Sequence, residues 1–65
     1  MKIQYFKNTD TLYIEFRQAD IAESRDLDED TIIDVDGDGN IIAMTMEHAS
    51  ERTDAPNLTF EEIAA

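Results

Sequence analysis

The sequence predicts an α+β domain: a small antiparallel sheet of four to five short strands in meander order, with short C-terminal helical segments packed on one face. Three observations predict it. Apolar and polar residues alternate with the two-residue period of a half-buried strand, most cleanly over residues 12–17. Clusters of Asp, Asn, Thr and Gly break these runs at short intervals. After Glu47 the alternation stops and helix formers take over. Short strands with helical material after them make a sheet with a helical cover.

Residues 1–6 alternate, with Met1, Ile3 and Tyr5 on one face and Lys2, Gln4 and Phe6 on the other. Asn8-Thr9-Asp10-Thr11 favours a turn, because these side chains hydrogen-bond their own backbone. Residues 11–17 form the clearest strand, with Leu12, Ile14 and Phe16 inward, and close a hairpin with the first. Over residues 21–27 the pattern weakens: Glu23 and Arg25 share a face with Ile21 and Leu27, which suits an edge strand. Asp28-Glu29-Asp30 turns the chain into a strand over residues 31–36, with Ile33 and Val35 inward and Ile32 and Asp34 outward.

Gly37-Asp38-Gly39-Asn40 is a second turn, in which both glycines are expected to supply positive φ. The strand over residues 40–47 then carries Ile42, Met44 and Met46 on one side and Ile41, Ala43 and Thr45 on the other. A helical turn is expected at residues 48–52, and Pro56 separates it from the last residues of the chain. Thr59 and Glu62 form a capping box, with Leu58 and Ile63 placed as a hydrophobic staple, predicting a short helix at residues 59–64. So short a helix needs Phe60 and Ile63 to dock on something.

The 65 residues make one domain, residues 1–65. A chain this size buries only about 60% of its unfolded surface, so its core is thin. It has no cysteine, which excludes disulfides and thiolate metal sites and fits a reducing compartment. The longest apolar run, Ile41-Ile42-Ala43-Met44, is far short of a spanning helix, and the first residues lack a signal-peptide core. A cytoplasmic protein is the expectation. Sixteen acidic side chains against five basic ones give a net charge of -11. Nucleic acid and anionic membranes would be repelled; a basic protein or a cation would be attracted.

Several pieces of the chain, in their order, resemble the domain-of-unknown-function 2283 family of small bacterial proteins. They are Met1-Lys2-Ile3-Gln4-Tyr5, Asp10-Thr11-Leu12-Tyr13-Ile14, Ala22-Glu23-Ser24, Ile32-Ile33-Asp34-Val35-Asp36-Gly37 and Met44-Thr45-Met46-Glu47-His48-Ala49-Ser50. The resemblance covers residues 1 to about 52, with Glu47 standing where an apolar residue is commoner. It implies a sheet and no assigned activity. Because some members look as if they are encoded beside small toxin-like proteins, it also implies an antitoxin-like role as an expectation.

Four constellations could carry chemistry. Asp34-Val35-Asp36-Gly37-Asp38-Gly39-Asn40-Ile41 matches the start of a calcium-binding EF-hand loop. The twelfth position is Thr45 where calcium needs a bidentate Glu, and the flanks read as strands, so an acidic hairpin turn is the preferred reading. Weak cation binding through Asp34, Asp36 and Asp38 is the alternative. His48, the one histidine, stands between Glu47 and Ser50 with Glu51 at i+3. It reads as a surface residue ahead of a general base or metal ligand, because the sequence organises no further ligands around it. Ser24 and Ser50 lack a nucleophile elbow and no phosphate loop precedes a helix, so neither an enzyme nor a cofactor is expected.

Tyr5, Tyr13 and Phe6 are expected on the face opposite the Leu12 stripe, where they would pack a second face or, with Ile41, a homodimer seam. The run from Asp20 to Asp38 holds nine acids against Arg25 alone. It reads either as a solvated edge or as a surface that steers a basic partner through Asp20, Glu23, Asp26, Asp28, Glu29 and Asp30. The expected function is thus a non-enzymatic protein-binding module that engages a basic partner.

Overall fold

Five strands form one antiparallel sheet in the computed structural model, which describes residues 1–64. They are β1 (Lys2–Phe6), β2 (Thr11–Glu15), β3 (Glu23–Asp26), β4 (Thr31–Val35) and β5 (Ile41–Met46), with a four-residue helix, α1 (Ala49–Arg52), after them. The order across the sheet is β1-β2-β5-β4-β3. This corrects the expected simple meander. A hairpin (β1, β2) and a three-stranded meander (β3, β4, β5) are joined by pairing β2 to β5. Residues 16–22 then run from the middle of the sheet to its far edge.

The order has a physical reason. β5 carries no charged side chain, so it suits the centre, where both of its edges are paired. β3, Glu-Ser-Arg-Asp, is exposed at all four positions and takes an edge, where its charges stay in water.

Registers place directly opposed residues on the same face. Ile3, Ile14, Met44 and Ile33 form one cross-strand row, and Tyr5, Leu12, Met46 and Thr31 the next. These rows are the inner face. Tyr5 therefore sits with Leu12, which corrects its expected place beside Tyr13 and Phe6. The outer face carries Gln4, Tyr13, Thr45, Ile32 and Asp26 in one row and Lys2, Glu15, Ala43, Asp34 and Ser24 in another. The molecule measures 36 × 32 × 17 Å.

Val35, Ile42, Ala43 and Ala49 are the buried apolar core, with Thr31 the buried polar residue. A bulge shapes it: Asp34 pairs with Ala43 but Val35 pairs with Ile41, leaving Ile42 as an extra residue. The Ile42 carbonyl accepts the N–H groups of Phe16 (2.8 Å) and Arg17 (3.4 Å), which ties the crossing segment to the sheet centre.

The 37–40 turn is built around Asp36. Its Oδ1 accepts the N–H groups of Asp38 and Asn40, both at 2.9 Å, and its Oδ2 accepts the Asn40 side-chain amide at 3.0 Å. Gly39 takes φ +86° while Gly37 stays at negative φ, so one glycine, and not both, meets the conformational demand. Nothing stands within 4 Å of a Cβ added at Gly39. The whole cost of Gly39→Ala is then backbone strain, and urea unfolding should show a loss of about 1 kcal/mol. An unchanged midpoint would contradict that φ.

The protein is mostly β, with one short helical piece in place of the expected helical cover. The helix expected over residues 59–64 does not form; residues 57–64 carry no regular structure. Phe60 and Ile63, which had to dock, are 74% and 76% exposed. Without that docking, nucleating a single turn costs more than its hydrogen bonds return. No helix of the described residues is long and apolar enough to cross a membrane.

Candidate functional site

Three segments meet at one end of the sheet: the β1–β2 turn, the β3–β4 turn and the junction from β5 into α1. Backbone bonds fix their spacing. The Ala49 N–H donates to the Asp10 carbonyl (2.9 Å), and the Glu47 N–H donates to the Asp30 carbonyl (2.8 Å). Asp10 and His48 both adopt left-handed backbone, at φ 54° and 55°. That conformation is costly outside glycine and is least so for Asp, Asn and His.

Asp10 is the hub of one half. Its Oδ1 accepts the Tyr5 hydroxyl at 2.5 Å, while Ser50 donates its N–H at 3.1 Å and its Oγ–H at 2.7 Å to the same carboxylate. The residue at the N-cap of α1 is His48, and its side chain makes no cap bond. Asp10 performs that role from 40 residues away. The Tyr5 bond first, and then those from Ser50, hold the Asp10 carboxyl below the usual carboxylate range. The same bond pushes the Tyr5 phenol up.

The other half is the β3–β4 turn. Asp28 accepts the Asp30 N–H at 2.9 Å and pairs with the Arg52 guanidinium at 2.8 Å. The Asp30 N–H first, then Arg52 and Thr31, hold its carboxyl low. Arg52 also donates to the buried Thr31 hydroxyl at 3.0 Å, so the last residue of α1 reaches into the core. Asp30 meets His48 Nδ1 at 3.0 Å, and that bond, then the charges of Glu51 and Glu47, raise the His48 pKa. One oxygen each from Asp30 and Glu47 and one His48 ring nitrogen lie within 4.8 Å of one another.

The acids expected to act fall into four groups. Asp34 accepts the Ser24 hydroxyl at 2.6 Å, and Asp36 is taken up by its own turn. Among the described residues, Asp34, Asp36 and Asp38 form no convergent ligand set. Glu23 pairs with Arg25 along the edge at 2.8 Å, which lowers its carboxyl. Asp28 and Asp30 serve the loop junction. Asp20, Asp26 and Glu29 are exposed, and among the described residues their carboxylates make no hydrogen bond.

Nothing in the chain's local pattern signals the Tyr5–Asp10–Ser50 connection. Asp10 reads as one more turn residue, and Ser50 as one more helix starter. Nor does the pattern place Asp30 against His48, since 18 residues of chain separate them. The one local signal is the abrupt end of alternation at Glu47, which marks where the chain leaves the sheet.

A second feature lies on the inner face. Residues 53–58 pass over Ile3, Tyr5 and Leu12 and enclose a partly open cavity of about 220 Å³. On the outer face, burial and then the charges of Glu15 and Asp34 push the Tyr13 phenol up.

A family model described as a protein of unknown function (DUF2283) matches residues 2–50, from the first strand through Ser50. No curated protein and no solved structure matches the chain.

Proposed function

We propose that this chain, which belongs to the DUF2283 family, is a non-enzymatic protein-binding module whose acidic edge engages a basic partner. One observation carries this reading. β3 lies at an open edge of the sheet, exposed at every position, with Asp20, Asp26 and Glu29 turned to water around it. On a chain of net charge -11, such an edge raises the local concentration of cationic partners and speeds their encounter. An edge strand also offers unpaired backbone groups to a partner strand. Carboxylates there repel a second acidic copy and admit a Lys- and Arg-rich segment.

The hydrogen-bonding pattern supports binding over catalysis. Tyr5, Asp10 and Ser50 are the side chains nearest to an acid–base constellation, and their bonds are spent on one another and on α1. The antitoxin-like pairing is the specific form of the proposal: a small acidic protein neutralising a small basic one.

The test is capture of partners from the source lysate at about 0.05 M and about 0.5 M salt, where screening lengths differ severalfold. Wild-type protein should retain a basic protein at low salt and release it at high salt. The double charge reversal Asp26→Lys with Glu29→Lys should weaken that retention about tenfold or more. Equal retention by wild type and variant, or binding indifferent to salt, would refute the reading.

A further inference from the structure

We infer that Asp30, Glu47 and His48 form a binding site for a divalent transition-metal ion of the zinc type. Three potential ligand atoms, one from each residue, lie within 4.8 Å of one another. Around an ion with bonds of about 2.0–2.2 Å, ligand atoms stand roughly 3.3 Å apart in a tetrahedron. His48 Nδ1 and the Asp30 oxygen are already 3.0 Å apart, close to such an edge. An ion replacing the proton between them needs little movement of either side chain.

The donor set selects the metal. Two carboxylates with one imidazole suit Zn²⁺ and its first-row neighbours, whereas Ca²⁺ and Mg²⁺ take oxygen ligands alone. With Nδ1 on the metal, Nε2 is left to water, and remaining coordination positions go to water as well. Glu47 and His48 are exposed and Asp30 is only 23% exposed, so the site is open on one side and anchored on the other. Glu51 and Asp10 lie within the electrostatic reach of His48 and deepen the negative field at the site.

Preorganisation comes from the fold. The Glu47 N–H bond to the Asp30 carbonyl fixes the two carboxylate-bearing residues side by side. The bond from Ala49 to Asp10 fixes the residue after His48. The sequence organises no ligands around its one histidine, and the β3–β4 turn supplies one. This site is separate from Asp34, Asp36 and Asp38, and independent of the acidic-edge reading.

Calorimetric titration of the purified full chain with Zn²⁺, repeated with Co²⁺ and Ca²⁺, tests the inference. One equivalent of Zn²⁺ should bind in the tens of micromolar or tighter, with a visible Co²⁺ absorption band and a shift of the His48 ring nitrogens in the NMR spectrum. Glu47→Gln, whose side chain makes no hydrogen bond among the described residues, should keep the fold and weaken Zn²⁺ about tenfold or more. His48→Asn should weaken it further while tolerating the left-handed backbone. Asp34→Asn should change nothing. Zn²⁺ binding that is absent at about 1 mM, or untouched by Glu47→Gln, overturns the site. So does Ca²⁺ binding at equal strength, with amide shifts confined to residues 34–38.

Discussion

Ile42→Ala is expected to leave a large fraction of the chain unfolded at room temperature. Ile42 is 3% exposed, lies in the central strand and is the extra residue of the bulge opposite Val35. Truncating a buried Ile to Ala costs about 2–5 kcal/mol, from lost transfer energy and the cavity left behind. Small domains without disulfides rarely hold more than about 3–5 kcal/mol in all. The mutation therefore consumes most of the stability available. Far-UV circular dichroism should show a weakened sheet signal, and a urea transition shifted nearly to zero denaturant. Ile42→Val, at about 0.5–1.5 kcal/mol, should remain folded with a lower midpoint. An Ile42→Ala protein with a wild-type urea midpoint would mean that the central strand is packed differently.

Replacing Asp10 should detach α1 from the sheet. The carboxylate satisfies the Tyr5 hydroxyl and both donors of Ser50, and its backbone carbonyl holds Ala49. Asp10→Asn tolerates the left-handed backbone but loses the charge; Asp10→Ala loses the acceptors and adds backbone strain. The melting temperature should fall by roughly 5 °C for Asn and further for Ala. Amide exchange at Ser50 should accelerate more than exchange in β5.

The acid side offers a sharper comparison. The Asp10 carboxyl is lowered in the folded chain, so its stabilisation is fully present above the ordinary carboxylate pKa. It is lost as pH falls through the lowered value. Asp10→Asn removes this contribution, so the stability gap between wild type and variant should close in strong acid and stay open near neutrality. His48 runs the other way. Its pKa is raised, so its pairing with Asp30 contributes fully below the ordinary histidine value of about 6.5 and is lost as pH rises through the raised one. Both contributions are complete only in mildly acidic solution. A gap for Asp10→Asn that does not vary with pH would remove the charge from the account.

The antiparallel strands are legible in the sequence because each signal is local. Leu12, Ile14 and Phe16 alternate with Tyr13, Glu15 and Arg17, and Gly39 marks its turn by chemistry alone. Strand order is not legible, because nothing in residues 11–15 or 41–46 records that they pair with each other. β5, free of charged side chains, suits the centre, but which strands flank it is decided by the whole sheet. Tyr5 departs from expectation for a related reason: grouping its ring with the other aromatics overrides the alternation, which already puts it with Ile3. The capping-box pattern at Thr59 has no surface to dock on, with Phe60 and Ile63 exposed, so propensity loses to the cost of nucleation. The loop junction is invisible for want of proximity in the chain: Asp10 with Ser50, Asp30 with His48 and Asp28 with Arg52 are all long-range pairs.

The union of β2 with β5 sets the order of events while the chain is being made. As residues leave the ribosome, the first hairpin emerges with one side of β2 bare, and two strands alone are marginal in water. Its missing neighbour is translated about 30 residues later, which delays the closing contact and slows folding relative to a simple up-and-down sheet. A nascent chain halted before residue 41 would hold two half-sheets with nothing between them, and the last strand to be synthesised is the one that makes them a single body.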